Sequence, residues 1–168
     1  MEIRMKKQCM VLFVENNAGV LARIASLFVQ RGFNIDSLTT SPTENEKISR
    51  LTIMTHGDER SFSQIMKQTG KLVETKLIFS VEPTFSLIHE IALVKFAPEE
   101  RKNEKLRELI AIYGAKIVDK TGSCLIAELC DTPQRIDGFL EDIAGFKIIE
   151  SGRSGAIAME RGEVAYEL

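Results

Sequence analysis

The chain has 168 residues, 44% of them hydrophobic and 27% charged, with a formal net charge of −2. That balance belongs to a globular protein of one ordinary domain or two small ones, and it excludes a disordered chain. Without a net positive charge or a long Lys/Arg block, binding driven by phosphate neutralisation is disfavoured.

No apolar run approaches the ~20 residues of a membrane span. Met1-Glu2-Ile3-Arg4 leads into a polar stretch, which is not the pattern of a signal peptide. The cysteines Cys9, Cys124 and Cys130 are odd in number and widely spaced. They fit free or buried thiols in a reducing cytoplasm better than a disulfide framework.

Residues 9–14 predict a strand with two apolar faces, Met10, Leu12 and Val14 on one and Val11 and Phe13 on the other. Glu15-Asn16-Asn17-Ala18-Gly19 breaks that pattern. Val20, Leu21, Ile24, Leu27 and Phe28 then fall at helical spacing, with Asn17 as the expected N-cap and Gly32 as the stop. Asn34 to Thr40 and Ile48 to Thr55 read as strands around a polar turn. Gly57-Asp58 opens a second helix, with Phe62, Ile65, Met66 and Thr69 on one face and Gly70 at its end. Leu72 to Val81 reads as a strand, with Val73, Thr75, Leu77, Phe79 and Val81 pointing one way.

Pro83-Thr84 is a natural break. The order then nearly repeats. Glu90 to Phe96 is a strand, Glu100 to Tyr113 a helix stopped by Gly114, and Ala115 to Asp119 with Ser123 to Cys130 a hairpin around Lys120-Thr121-Gly122. Thr132-Pro133 caps a further helix. Phe146 to Ser151 and Gly155 to Met159 are terminal strands. Each half reads βαββαβ, the second with one extra strand, so the fold class is α+β with two ferredoxin-like domains, residues 1–82 and 83–168. Helices cover one face of such a sheet. The second apolar face of the first strand, or the sheet edge, must meet something else, and a homodimer or larger assembly is the expected remedy.

Several chemistries are missing. His56 and His89 have no partner at metal-ligand spacing and read as boundary or surface residues. There is no nucleophile elbow and no phosphate loop. Ser123-Cys124 lies in an apolar strand with no adjacent base. The third strand, Ile48 to Met54, lacks the aromatics of an RNA-recognition sheet, and the first loop lacks Cys-x-x-Cys.

The informative segment is Glu15 to Leu21, which joins a strand to a helix. Amides at a helix start attract an anion, and a glycine there permits close backbone approach, so Gly19, Val20 and Leu21 are candidates to hold a carboxylate. The same residues also describe a capped turn with no ligand. Asn34 can accept from an ammonium and donate to a carboxylate, or simply form the turn after Gly32.

The runs Val14 to Arg23 and Phe28 to Leu38 closely resemble the regulatory (small) subunit family of acetolactate synthase, also called acetohydroxyacid synthase. Ile48 to Ile53, Lys67-Gln68, Lys71 to Val73, Glu90 to Lys95, Lys116 to Asp119 and Arg153-Ser154-Gly155 continue the resemblance over nearly the whole chain. It departs from the family pattern at Glu99 to Glu104, at Gly152 and from Lys120 to Cys130.

The resemblance implies an N-terminal ACT domain that dimerises and binds an amino acid at the dimer interface. It also implies a C-terminal domain that engages the large catalytic subunit, and no catalysis by this chain itself. The catalytic subunit, not this chain, is expected to hold thiamine diphosphate, magnesium and FAD. Activation of that subunit and feedback inhibition by valine, leucine or isoleucine are the expected functions, in the cytoplasm. The expected effector site has the ligand carboxylate on the amides of Gly19, Val20 and Leu21 of one subunit, with Asn16 supporting the loop. Asn34 and the backbone at Ile35 of the other subunit take the ammonium, and Val20, Leu21 and Ile35 form apolar walls. The competing readings are a free-standing ACT sensor for another enzyme, a small standalone enzyme, and a C-terminal domain that serves only assembly.

Overall fold

The computed structural model describes residues 6–120, 124–163 and 166. The chain divides into two compact units. Residues 1–87 and 156–168 form one, and residues 88–155 form the other.

The first unit contains β1 (Lys6–Glu15), α1 (Val20–Gln30), β2 (Ile35–Pro42), β3 (Ile48–Gly57), α2 (Glu59–Thr69) and β4 (Thr75–Ser80). The strands form an antiparallel sheet in the order β2-β3-β1-β4, a ferredoxin-like βαββαβ arrangement. Met10, Leu12 and Val14 of β1 join Ile24 and Phe28 of α1 and Phe62 and Ile65 of α2 in one core, with Ile78 of β4 packed against it. The period-2 alternation of the strand and the i, i+4 spacing of the helix therefore meet face to face.

Local chemistry sets the ends of these elements. The helix start is not capped by Asn17, contrary to the expectation from the sequence. The N-cap is Gly19, at φ 89, with no side-chain cap bond. Asn17 instead turns its amide to Glu15 Oε2 (2.9 Å). At the other end of α1, Gly32 takes φ 71, and the amide of Phe33 donates to Phe28 O (2.9 Å) while their rings meet edge to face. That is a Schellman stop with its hydrophobic contact. Asp58 caps α2 by accepting from the Ser61 amide (2.9 Å), and this hydrogen bonding holds its carboxyl below the usual range. The fourth strand is shorter than expected. Residues 72–74 form a turn in which Leu72 N–H donates to Thr69 O (3.2 Å) and Thr75 N–H to Leu72 O (3.0 Å).

The second face of the first sheet is not bare. Cys9, Val11 and Phe13 are all at most 4% exposed, although they point away from the helix-packed core. The residues after Gly155, including β9 (Ile157–Glu160), return to this unit. The Arg50 guanidinium donates to Ala158 O and lies over the Phe13 ring, with its carbon 5.0 Å from the centroid. The Tyr166 ring stacks on Phe79 with centroids 4.9 Å apart and tilts against Phe13 at 5.8 Å. The amide of Arg161 donates to Phe85 O (2.8 Å), and that of Ala156 to Ser37 Oγ (3.3 Å). The chain's own C-terminal segment thus meets the face that the sequence left for a partner.

The second unit contains most of β5 (Ser86–Phe96), then α3 (Glu104–Tyr113), β6 (Lys116–Asp119), β7 (Leu125–Asp131), α4 (Pro133–Asp142) and β8 (Ile148–Arg153), with strand order β6-β7-β5-β8. The expected helix from Glu100 divides. Pro98–Lys102 is a short 3-10 turn, and Asn103 starts α3 afresh by accepting from the Leu106 amide. Thr121, Gly122 and Ser123 of the expected hairpin lie outside the described residues. Val94, Phe96, Leu106, Leu125, Ile136 and Phe139 form the core. Arg153 reaches the nearly buried Glu90 carboxylate and donates to Asp137 (2.6 Å), which ties β8 to β5 and α4.

The covered second face has a chemical consequence. Burial pushes the Cys9 thiol up to about 12, against the opposing pull of Arg50. In the native chain at pH 8, a thiol reagent is expected to modify exposed Cys130 and to leave Cys9 untouched until unfolding. Deleting residues 156–168 should make Cys9 reactive. Equal modification rates of Cys9 and Cys130 in the intact chain, followed by peptide mapping, would contradict this account.

Candidate functional site

The strand-to-helix turn after β1 is held from both sides. The Asn16 amide donates to Lys47 O (2.7 Å), and its side-chain Nδ2 donates to Glu46 O (3.1 Å). The loop is therefore fastened to the turn that precedes β3. Glu15, the carboxylate at this turn, is answered by Lys76 (2.5 Å) and by the Asn17 amide. An incoming anion is spared its full repulsion.

The helix itself begins at Val20, and Arg23 N–H donates to Gly19 O (3.0 Å). The amides before that point are those a helix leaves without internal partners. The Val20 amide already reaches Asn17 O at 3.4 Å, a long bond. Its side chain is buried in the core and does not line an open wall, whereas Leu21 is 42% exposed. The backbone of Gly19 sets a requirement of its own. A Cβ built there meets no heavy atom within 4 Å of the same chain, but φ +89 is a conformation that side-chain-bearing residues rarely adopt.

Asn34 stands just before β2. The buried Thr55 hydroxyl donates to its carbonyl (2.6 Å), and its own Nδ2 donates to Asp36 Oδ1 (3.1 Å). The other oxygen of Asp36 accepts from His56 Nδ1. His56 is therefore a boundary residue paired with a carboxylate, a contact that sequence reading missed. The signal is hidden by a β-bulge. The ladder runs from Ile35↔Thr55 to Ser37↔Met54 and skips Asp36.

The two groups of candidate residues do not meet within one chain. Glu15 is registered with Ile48, whereas Ile35 is registered with Thr55, seven positions farther along the same strand. At ~3.3 Å per residue, the helix start and Asn34 lie roughly 23 Å apart, at opposite ends of the sheet. Asn16, Gly19, Val20 and Leu21 belong to one end, and Asn34 and Ile35 to the other. β2, which begins at Ile35, is an edge strand.

With this geometry in place, comparison with known proteins places the chain. Residues 10–76 match the model of the AHAS small subunit-like ACT domain, and residues 89–162 match that of the small subunit of acetolactate synthase. The chain belongs to the acetolactate synthase small-subunit family. It is 38% identical to the probable acetolactate synthase small subunit of Archaeoglobus fulgidus, over 93% of this chain and 98% of the relative. It is 35% identical to the acetolactate synthase isozyme 3 small subunit of Escherichia coli, over 94% and 97%. The crystal structure of the Thermotoga maritima acetolactate synthase small subunit superposes with a TM-score of 0.84 at 33% identity, covering 95% of this chain and 99% of that one. Family and fold, two ferredoxin-like βαββαβ sheets with the first an ACT domain, therefore agree with the resemblance read from the sequence. Among the described residues, no helix is long and apolar enough to cross a membrane, and no cluster of His, Cys, Asp or Glu could hold a metal ion.

The left-handed start of α1 makes a stability prediction. Gly19→Ala should cost about 1–2 kcal/mol for forcing a Cβ into that conformation. A urea titration should show a lower midpoint with an unchanged slope. An unaltered midpoint would contradict the turn.

Proposed function

We propose that this chain is a non-catalytic regulatory subunit: it activates the thiamine-diphosphate-dependent catalytic subunit of acetolactate synthase and makes it sensitive to branched-chain amino acids. In this reading the N-terminal ACT domain, assigned to residues 1–82, binds the effector in a homodimer. The part of the chain from residue 83 onward engages the catalytic subunit, which supplies thiamine diphosphate, magnesium and FAD. The complex works in the cytoplasm. The names of the family relatives support the partner, since each is a small subunit of a larger enzyme.

The observation that carries the effector site is the separation of its two halves. An amino acid is short. Its carboxylate suits the amides at the start of α1, where Gly19, Val20 and Leu21 lie and Asn16 braces the loop. Its ammonium suits Asn34 beside Ile35. Because these groups sit at opposite ends of one sheet, a ligand that touches both must bridge two chains. Bridging lets the effector favour one arrangement of the pair over another, and that differential binding is the requirement for allosteric control. One methylene changes binding by only about 1–3 kcal/mol, so valine, leucine and isoleucine should give overlapping responses.

The alternative, an ACT sensor for a different enzyme, is tested by co-purification with the catalytic subunit. Gly19→Asp puts a negative charge at the carboxylate end. In the reconstituted enzyme it should abolish inhibition by valine while activation persists. Asn34→Ala should raise the valine concentration for half-inhibition about tenfold, the loss of one charge-assisted hydrogen bond of ~1.5 kcal/mol. Full valine sensitivity in Gly19→Asp would refute the carboxylate assignment. Acetolactate formation by the isolated chain would refute the non-catalytic one.

A further inference from the structure

The ammonium half of the proposed site contains a residue that neither sequence reading nor the family comparison singles out. Asn34 is fixed at both its backbone and its side chain. The Thr55 hydroxyl, on a fully buried side chain, holds the Asn34 carbonyl at 2.6 Å, and Asp36 Oδ1 takes the Asn34 Nδ2 proton at 3.1 Å. An ionised carboxylate can only accept a hydrogen bond, so the atom of Asn34 that faces Asp36 has to be nitrogen. Oδ1 is then the amide's acceptor, and among the described residues no hydrogen bond reaches it. The bulge that skips Asp36 in the ladder lets its side chain serve Asn34 and also reach His56 on β3. His56 donates through Nδ1 to the second oxygen of Asp36, which ties the carboxylate to a central strand. The Asp36 side chain is only 24% exposed, so water screens its charge less than that of a free surface carboxylate.

We infer that Asp36 is a positioning and specificity-determining residue, which orients Asn34 and makes this end of the site select the ammonium of the effector over a carboxylate or a neutral group. The inference rests on the effector-site reading of Asn34 given above. Two features together carry it. Asn34 offers an oriented acceptor, and a fixed negative charge stands next to it. That pair attracts R–NH3+ and repels R–COO−. At the opposite end, the start of α1 offers amides and the positive end of the helix dipole. The two ends have opposite polarity, so a zwitterion can enter in only one direction. An acid of the same shape that lacks the amino group forfeits half of the recognition.

The test is calorimetry on the full chain in its native assembly, with L-valine and its des-amino analogue 3-methylbutanoate, the latter read by competition where its own heat is small. The wild type should bind valine at least tenfold more tightly than 3-methylbutanoate. Asp36→Asn keeps the shape and loses the charge. It should weaken valine about tenfold and leave 3-methylbutanoate within about twofold of wild type, so the preference collapses. Asp36→Ser, which also accepts a hydrogen bond without charge, should behave alike, and it stands in if the first variant fails to fold. Asp36→Glu restores the charge and should recover most of the preference. A merely structural Asp36 would lose both ligands in proportion. That result, or wild-type valine affinity in both neutral variants, overturns the inference. If the wild type binds none of valine, leucine and isoleucine, the effector-site reading itself falls, and this inference falls with it. The two failures are therefore distinguishable.

Discussion

Antiparallel pairing governs everything proposed for the N-terminal unit. β1 runs out to the helix start, β3 runs back beside it, and β2 lies outside β3. The end of β1 and the beginning of β2 are therefore at opposite ends of the sheet. A carboxylate-binding turn and an ammonium-binding asparagine are useful to one small amino acid only if a second copy supplies the missing half. Binding and association are then one thermodynamic event, and a ligand of modest affinity can report the state of the whole pair. In the proposed function, regulatory reach comes from topology, not from the number of contacts the site makes.

The same sheet has a second face, and its cover comes from the far end of the chain. Strand β1 is apolar on both sides because it is buried on both sides. One face meets α1 and α2, and the other meets the segment that follows Gly155, through Arg50, Phe13, Phe79 and Tyr166. That face is occupied within the chain, so a pairing of two copies that leaves this segment in place has to use another surface. The β2 edge, where Asn34 enters, is such a place. The folded unit is discontinuous in sequence, and the C-terminal residues contribute to the stability of the domain that carries the proposed effector site.

The fold was legible because period-2 and period-3.6 patterns are set by burial, and burial dominates these short elements. The glycine stops at Gly32 and Gly114 were legible for a local reason: both take positive φ at a helix end. The helix start was misread at Asn17, since an asparagine two residues before a glycine can bond to Glu15 as easily as to the helix. The turn at 72–74 was absorbed into a strand because Leu72 and Val73 are apolar and continue the run, yet only Leu72 packs on the core and Val73 is 86% exposed. The Asp36–His56 contact and the return of the tail were not legible. The first depends on a bulge, which shifts register by one residue without a sequence mark. The second depends on side-chain contacts between segments more than a hundred residues apart, which no local pattern encodes. Of the candidate residues, the loop bracing by Asn16 and the left-handed Gly19 have a clear geometry. Val20 proved to be a core side chain, for which only the backbone remains available to a ligand.

The central claim is that each effector site is completed in trans. Mixing two defective chains tests it directly. A dimer of a Gly19→Asp chain with an Asn34→Ala chain contains one doubly damaged site and one site built from the intact halves of each. Calorimetry of the purified mixed dimer should recover wild-type valine affinity at half the wild-type number of sites, while each parent alone binds weakly or not at all. A mixed dimer that binds no better than its parents would contradict the account, because it would mean that both halves of the site are drawn from the same chain or that these residues do not form it.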